Sequence, residues 1–63
     1  MSEEERMLTV SDVAERLAIN PATVRRWLRR KELAGYQFGG EWRIKLADLE
    51  AFIERHRVQG EEE

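Results

Sequence analysis

Residues 20–31 read N-P-A-T-V-R-R-W-L-R-R-K, and this stretch decides the fold of the chain. Asn20 suits the N-cap of a helix, because its side chain can accept a hydrogen bond from a backbone N–H of the first turn. Pro21 suits the next position, where a missing N–H costs nothing. At about 100° per residue, Val24, Leu28 and the stem of Lys31 fall on one side of this helix. The stretch therefore predicts a capped, basic helix with one apolar side.

The length and composition restrict the class of protein. A chain of 63 residues forms one small domain with no room for a second core. It has no cysteine, so neither a disulfide framework nor a thiolate metal site can stabilise it. Its acidic start, M-S-E-E-E, lacks the features of a signal peptide, and no apolar run approaches the roughly 20 residues that span a bilayer. We therefore expect a soluble, cytoplasmic protein with no membrane partner.

The charge is unevenly distributed along the chain. The formal net charge is −2, but six of the thirteen acidic residues lie at 3–5 and 61–63. The rest of the chain carries eleven basic residues against seven acidic ones. A local basic field attracts phosphate despite distant acids, since charges beyond about one Debye length are largely screened. We interpret residues 1–7 and 58–63 as acidic flexible tails on a single domain at 8–57.

A first short helix is predicted before the basic one, within residues 8–19. Thr9 followed by Asp12 approximates a capping box, and Ser11 is an alternative start. The predicted buried side has the spacing i, i+3, i+4, i+7 and consists of Val10, Val13, Ala14 and Leu17. Residues 18–20 then make a tight turn. Two short helices joined by such a turn, the second of them basic, are the pattern of a helix-turn-helix.

The sequence also predicts where the basic helix ends and where a third helix lies. The helix should end after Lys31, with Gly35 as a left-handed C-cap. A third helix is predicted over residues 46–57, because apolar residues again recur at helical spacing. Its predicted apolar side consists of Leu46, Leu49, Ala51, Phe52 and Ile53.

A β-hairpin is predicted between these helices. Y-Q-F alternates at strand period over 36–38, and E-W-R-I resumes the alternation over 41–44. Gly39 and Gly40 tolerate the positive φ of a tight turn. A hairpin is only marginally stable alone, so one of its faces must rest on the helices. The residues predicted to face inward are Phe38 or Tyr36, together with Ile44.

The arginines of residues 20–31 carry the main functional hypothesis. Glu32 is the only acid from Asn20 to Gly40, so carboxylates that would offset these like charges are scarce nearby. One interpretation is a solvated face whose long stems cover apolar surface. The other is a DNA-reading helix, because guanidinium presents a planar donor fork that addresses guanine or grips phosphate. We favour the DNA-reading helix.

Position along the helix assigns the predicted roles. The N-terminal part of the second helix of a helix-turn-helix meets base edges in the major groove. The predicted base-reading residues are Ala22, Thr23, Arg25 and Arg26. Later residues and neighbouring segments are better placed for phosphates. The predicted backbone contacts are Arg16, Asn20, Trp27, Arg29, Arg30, Lys31, Trp42, Arg43 and Lys45.

Some of these residues have a structural alternative. Asn20 suits capping better than phosphate contact. Trp27 falls on the apolar side of its helix, so we expect core packing, with an indole N–H that can also reach a phosphate. Trp42 has two open interpretations: packing under the hairpin, or projecting into the minor groove or against sugar. His56 has no second histidine or paired nucleophile, so we expect no metal, cofactor, small-molecule ligand or catalysis.

Four stretches resemble excisionase-type small winged-helix proteins, which are related to the DNA-binding heads of MerR-type regulators. They read L-T-V-S-D-V-A-E-R-L at 8–17, I-N-P-A-T-V-R-R-W at 19–27, Y-Q-F-G-G-E-W-R-I at 36–44 and A-D-L-E-A-F-I at 47–53. The resemblance implies a winged helix-turn-helix, mainly α with a small β-hairpin wing, in the order α-α-β-β-α. It also implies one helix in the major groove and the wing in the adjacent minor groove or on its phosphates.

This resemblance implies double-stranded DNA as the partner and no enzymatic activity. The family's DNA-contacting positions correspond to Thr23, Arg25, Arg26, Arg30 and Arg43. Excisionase-like proteins bend DNA during recombination or regulate transcription, often as several copies side by side, and we expect one of these roles in the cytoplasm, on the nucleoid. MerR-type regulators continue into a dimerisation coiled coil and an effector domain, neither of which we expect here.

Two alternatives stay open at the level of the sequence. The Glu-rich ends and cysteine-free composition are also typical of an engineered DNA binder on the same scaffold. The arginine-rich helix is also suited to docking an acidic partner, in which case the chain is a protein-interaction module.

Overall fold

The computed structural model describes residues 6–58, so residues 1–5 and 59–63 of the predicted acidic tails lie outside the described range. Within it, the elements are β1 (Met7–Leu8), α1 (Val10–Leu17), α2 (Pro21–Arg29), β2 (Tyr36–Phe38), β3 (Glu41–Lys45) and α3 (Leu46–Arg55). The expected winged helix-turn-helix is confirmed, with a short strand added before the first helix. None of the helices in this range is long and apolar enough to cross a membrane.

The start of α1 is fixed by the predicted capping box. The Thr9 hydroxyl oxygen accepts a hydrogen bond from the Asp12 backbone N–H at 3.0 Å, and the Asp12 carboxylate accepts one from the Thr9 N–H at 3.0 Å. The bond from the Thr9 backbone to this carboxylate holds the pKa of Asp12 below its ordinary value. The helix therefore begins at Val10, directly after the predicted N-cap, and the flanking Leu8 of the predicted stretch belongs to β1.

The start of α2 confirms the predicted cap, whereas its end does not follow the prediction. The Asn20 side-chain oxygen accepts from the Ala22 N–H at 2.8 Å, and Pro21 is the first helical residue. The helix ends at Arg29, because Lys31 takes the left-handed conformation with a φ of 63°. Gly35 has no positive φ, so its predicted role as the left-handed C-cap is wrong.

Backbone bonds explain this early end of α2. The N–H of Lys31 donates to the carbonyl of Leu28 at 3.1 Å, and the N–H of Glu32 donates to that of Trp27 at 2.9 Å. These two bonds form a Schellman motif, which satisfies carbonyls that the helix leaves free. The reversal turns Leu33 into the core, where it is almost fully buried.

The sheet has three antiparallel strands in the order β1-β3-β2. Phe38 pairs with Glu41 across a two-residue turn in which Gly39 and Gly40 have φ values of 57° and 91°. This confirms the predicted hairpin, called the wing from here on. The prediction did not include β1, whose Leu8 pairs with Ile44.

The structure differs from the prediction in the direction that Tyr36 and Phe38 face on the wing. Ile44 is fully buried as expected, but Tyr36 and Phe38 are 43% and 60% exposed. Their partners across the strand pair are Arg43 and Glu41, which alternate with Ile44 along β3. Because neighbours along a strand point to opposite faces, Tyr36 and Phe38 lie on the outer face.

The core is formed by one side of each helix together with the inner face of the sheet. Its buried residues are Leu8, Val13, Ala14, Val24, Leu28, Leu33, Ile44, Leu46, Leu49 and Phe52. Val10 and Leu17 pack against this cluster but are only partly buried. The prediction for α3 is wrong at Ala51 and Ile53, which are exposed, and the helix ends at Arg55 rather than Arg57.

Candidate nucleic-acid interface

The two sides of α2 differ in burial and in chemistry. Val24 and Leu28 lie in the core together with Val13 and Ala14 of α1, so packing fixes the orientation of α2. The residues of α2 that are exposed are Pro21, Ala22, Arg25, Arg26 and Arg29. Thr23 is half-buried at the edge of this surface. A basic outer side is therefore presented by a helix that is held by both a cap and the core.

The arginines of α2 are not paired with carboxylates of the described residues. No carboxylate of residues 6–58 forms an ion pair with Arg25, Arg26 or Arg29. Arg30, the C-cap residue, lies 3.6 Å from the Glu32 carboxylate, and both side chains are largely exposed. At this distance and exposure, the pair between Arg30 and Glu32 is weak. The outer side of α2 therefore keeps its positive charge for an external anion.

Lys31 does not extend the surface of α2 in the way that the helical wheel predicted. It follows the C-cap in the left-handed conformation, so its side chain leaves the chain after the last turn rather than along the apolar side. It is exposed and borders a surface depression with Leu33 and Gly35. Its charge is thus available at the end of the helix.

The basic residues of the wing are engaged by other groups of the wing. The Arg43 guanidinium donates through Nη2 to the Glu41 carboxylate at 3.1 Å and through Nη1 to the Trp42 carbonyl at 2.9 Å. Lys45 places its Nζ 5.3 Å from the centroid of the Tyr36 ring. The wing therefore presents positioned cations, whereas Arg25, Arg26 and Arg29 of α2 have no ion-pair partner among residues 6–58.

The tryptophans support the domain more than they extend its surface. Trp27 is half-buried against the core, and its ring centroid lies 4.8 Å from that of Phe52. This agrees with the expected core packing. Trp42 is also half-buried against the core, which supports packing under the wing among the two open interpretations.

A cleft of about 340 Å³ separates the wing from the first turns of α1 and α2. Arg25 of α2 and Arg43 of the wing line it, together with Thr9 and Ser11 of α1 and with Glu41. Sequence reasoning did not assign Thr9 or Ser11 to the site, because both were interpreted only as helix starts. The cleft brings together three predicted contact residues, because Trp42 and Arg43, which lie 17 and 18 positions after Arg25 in the chain, line it as well.

The other predicted residues lie outside this cleft. Arg16 is exposed in the last turn of α1, and Asn20 uses its side-chain oxygen for the helix cap. His56 is exposed, and its Nδ1 lies 2.9 Å from the Phe52 carbonyl. The described residues contain no cluster of three histidine, cysteine or acidic side chains that would hold a metal ion.

The fold and this basic surface define the class of protein, a small helix-turn-helix domain of the DNA-binding type. A family model described as "Helix-turn-helix domain" matches residues 7–57, and the chain belongs to this excisionase-like family. Binding of double-stranded DNA follows for the domain, and the family is typically non-enzymatic. No curated protein gives a significant match to the sequence.

Proposed function

We propose that this protein is a sequence-specific binder of double-stranded DNA that inserts α2 into the major groove. The observation that carries the proposal is the exposed row of Arg25, Arg26 and Arg29, which have no ion-pair partner in the described part of the chain. A row of like charges on a short helix is unfavourable unless an anion neutralises it. Duplex DNA supplies that anion as a regular array of phosphates.

The first half of α2 reads the bases in this proposal. Arg26 and Arg25 offer the bidentate fork that guanine O6 and N7 accept. Ala22 is small enough to allow close approach, and Thr23 has both a hydroxyl and a methyl group for a thymine edge. Exposure of Ala22 and the arginines, on a helix whose start is capped, supports this assignment.

The surrounding cations position the helix on the duplex. Phosphate contacts fix register and orientation but carry no sequence information directly. The proposed contacts are Arg16, Asn20, Trp27, Arg29, Arg30, Lys31, Trp42, Arg43 and Lys45. Asn20 and the tryptophans are secondary in this set, because their side chains already serve capping or packing.

The biological role that fits this site is that of an excisionase-like or transcription-regulating protein in the cytoplasm. Such a small domain contacts a short site, so several copies side by side on DNA would raise its affinity through effective concentration. Selection from randomised duplexes tests this directly. An enriched motif identifies the target sequence, and repeated half-sites give the number of bound copies.

The division of labour within α2 is tested with two substitutions. Arg26→Ala is expected to cost about 1–3 kcal/mol on the selected duplex and little on a random one, because it removes a base contact. Arg30→Ala is expected to weaken both duplexes similarly and to reduce the salt slope by about one, because it removes a phosphate contact. Titration of both duplexes across a salt series measures these effects.

Arg57→Ala serves as the matched control, since Arg57 is an exposed arginine beyond α3 whose partner is Glu54 at 3.7 Å. This control changes the net charge by the same amount as Arg26→Ala and Arg30→Ala, and it should alter the affinity for either duplex only slightly. Equal losses on both duplexes for Arg26→Ala and Arg30→Ala would reject the assigned roles. A wild-type protein that does not discriminate among duplexes at fixed salt would reject the function itself.

A protein-interaction module is the second candidate, and the outer face of the wing favours it. Tyr36 and Phe38 are exposed there with nearly parallel rings whose centroids are 6.3 Å apart. Exposed apolar patches often mark interaction surfaces. An acidic polypeptide that competes with the selected duplex at equal charge concentration would support this candidate.

A further inference from the structure

The wing arginine differs from the arginines of α2 in having two intramolecular partners. Arg43 donates to the Glu41 carboxylate and to the Trp42 carbonyl, at 3.1 Å and 2.9 Å. A guanidinium has five N–H donors, so three remain after these two bonds. Arg43 is also one of the residues that line the cleft between the wing and Arg25 of α2. Its remaining donors are therefore available to an anion in the cleft while both internal bonds persist.

The position of Glu41 is unexpected on electrostatic grounds. Its side chain is 71% exposed, at the first position after the wing turn, and it borders the same cleft as Arg25 and Arg43. A carboxylate there repels DNA phosphates, so charge alone predicts that Glu41 weakens binding. Its bond to Arg43 has the opposite effect, since it removes rotamers of a long side chain before DNA arrives.

We propose that Glu41 is a positioning residue, which together with the Trp42 carbonyl orients the Arg43 guanidinium for one fixed contact with the DNA backbone. The contact forms when α2 is in register on its preferred bases, because only then does a phosphate occupy a constant place in the cleft. On other duplexes the register varies, and Glu41 contributes only its repulsion. This inference rests on the proposed DNA-binding function and deepens it.

The test depends on the sign of the change in affinity. Glu41→Ala removes a negative charge, yet it is expected to weaken binding of the selected duplex by about two- to tenfold, since a freely rotating Arg43 must be ordered on binding. The same variant is expected to bind a random duplex as tightly as the wild type or more tightly. Glu41→Gln keeps an oxygen that accepts from Nη2, so it should retain wild-type affinity for the selected duplex.

Two further variants separate positioning from charge and from folding. In an Arg43→Ala background, Glu41→Ala should cause no further loss on the selected duplex. Glu54→Ala breaks another arginine–glutamate pair, that of Arg57 at 3.7 Å, with the same change in net charge. It should leave the ratio of the two affinities unchanged. Circular dichroism melting of every variant verifies that each is folded at the titration temperature.

The possible outcomes are distinct. A wild type that binds the selected duplex preferentially, combined with a Glu41→Ala variant that binds both duplexes more tightly by one factor, overturns the positioning role and leaves the proposed function intact. The positioning role is also overturned if Glu41→Ala weakens binding of the selected duplex as much in the Arg43→Ala background as in the wild type. If the wild type shows no preference among duplexes, both proposals fail together.

Discussion

The helix α2 and the wing present arginines to the same cleft, but they orient them by different means. The helix α2 is capped by Asn20 at its start and by a Schellman motif at its end, so its backbone determines the direction in which its side chains point. The wing is a hairpin whose edge strand β2 has only three residues, and its Arg43 is oriented by the hydrogen bonds that it donates to the Glu41 carboxylate and the Trp42 carbonyl. A helix that is fixed by caps and by the core can present arginines that have no ion-pair partner. A small hairpin, in contrast, needs local hydrogen bonds to orient an arginine side chain.

The junction of the two regions should give the largest effect. A Cβ added at Gly35 would lie 2.5 Å from Cδ2 of Leu28 and 3.4 Å from the Arg43 carbonyl. Gly35→Ala is therefore expected to destabilise the fold by about 1–3 kcal/mol through overpacking. Chemical denaturation measures the free energy of unfolding. In a Leu28→Val background the penalty should shrink, and an equal penalty in both backgrounds would contradict this explanation.

A substitution in the wing turn should affect the wing and spare α2. Gly40 has a φ of 91°, and no atom lies within 4 Å of an added Cβ, so Gly40→Ala introduces backbone strain without a clash. We expect a loss of about 1–2 kcal/mol, the usual cost of a side chain in a left-handed conformation. Gly39→Asn, at a φ of 57° that asparagine tolerates, is the control. Equal losses at both positions would show that strain is not the cause.

The start of α2 should respond by a smaller amount. Asn20→Ala removes the bond to the Ala22 N–H and is expected to cost about 1 kcal/mol of stability. Asn20→Asp retains an acceptor at this position and should keep most of the stability. If thermal melting shows no loss for Asn20→Ala, the cap does not hold the helix, and the contrast with the wing weakens.

The end of α2 should give the smallest change, and in the opposite direction. Lys31→Gly relieves a left-handed lysine and is expected to stabilise the fold by about 0.5–1 kcal/mol. It also removes a cation, so the slope of affinity against salt should become shallower by about one on any duplex. A stabilised variant with an unchanged salt slope would remove Lys31 from the proposed phosphate contacts.

Local signals predicted much of the fold and the site. The capping box at Thr9, the Asn20-Pro21 helix start and the Gly39-Gly40 turn all depend on residues within a few positions of one another. The register of the hairpin also follows from the turn, since a two-residue loop pairs Phe38 with Glu41. Glu41 lies three positions before Ile44 on the same strand, so Phe38 and Ile44 lie on opposite faces of the sheet. Strand periodicity alone therefore indicates that Phe38 and Tyr36 face outward when Ile44 faces the core.

Other features had no signal of this kind. The strand β1 has two residues, which is too short for a period, and it exists because Leu8 pairs with Ile44. The left-handed residue that follows the end of α2 is Lys31, although glycine is preferred at such a position. Tertiary packing permits it, since Leu33 enters the core directly afterwards.

By itself, the sequence determined where α1 and α2 begin, where the wing turns and that positive charge gathers on one helix. These are properties of neighbouring residues, decided by hydrogen bonding and side-chain period. Only the tertiary structure decided that Arg25 and Arg43 share a cleft, that Glu41 holds Arg43 and that Gly35 must lack a side chain. Arg25 and Arg43, like Gly35 and Leu28, are far apart in the chain, and only packing of the core brings them together.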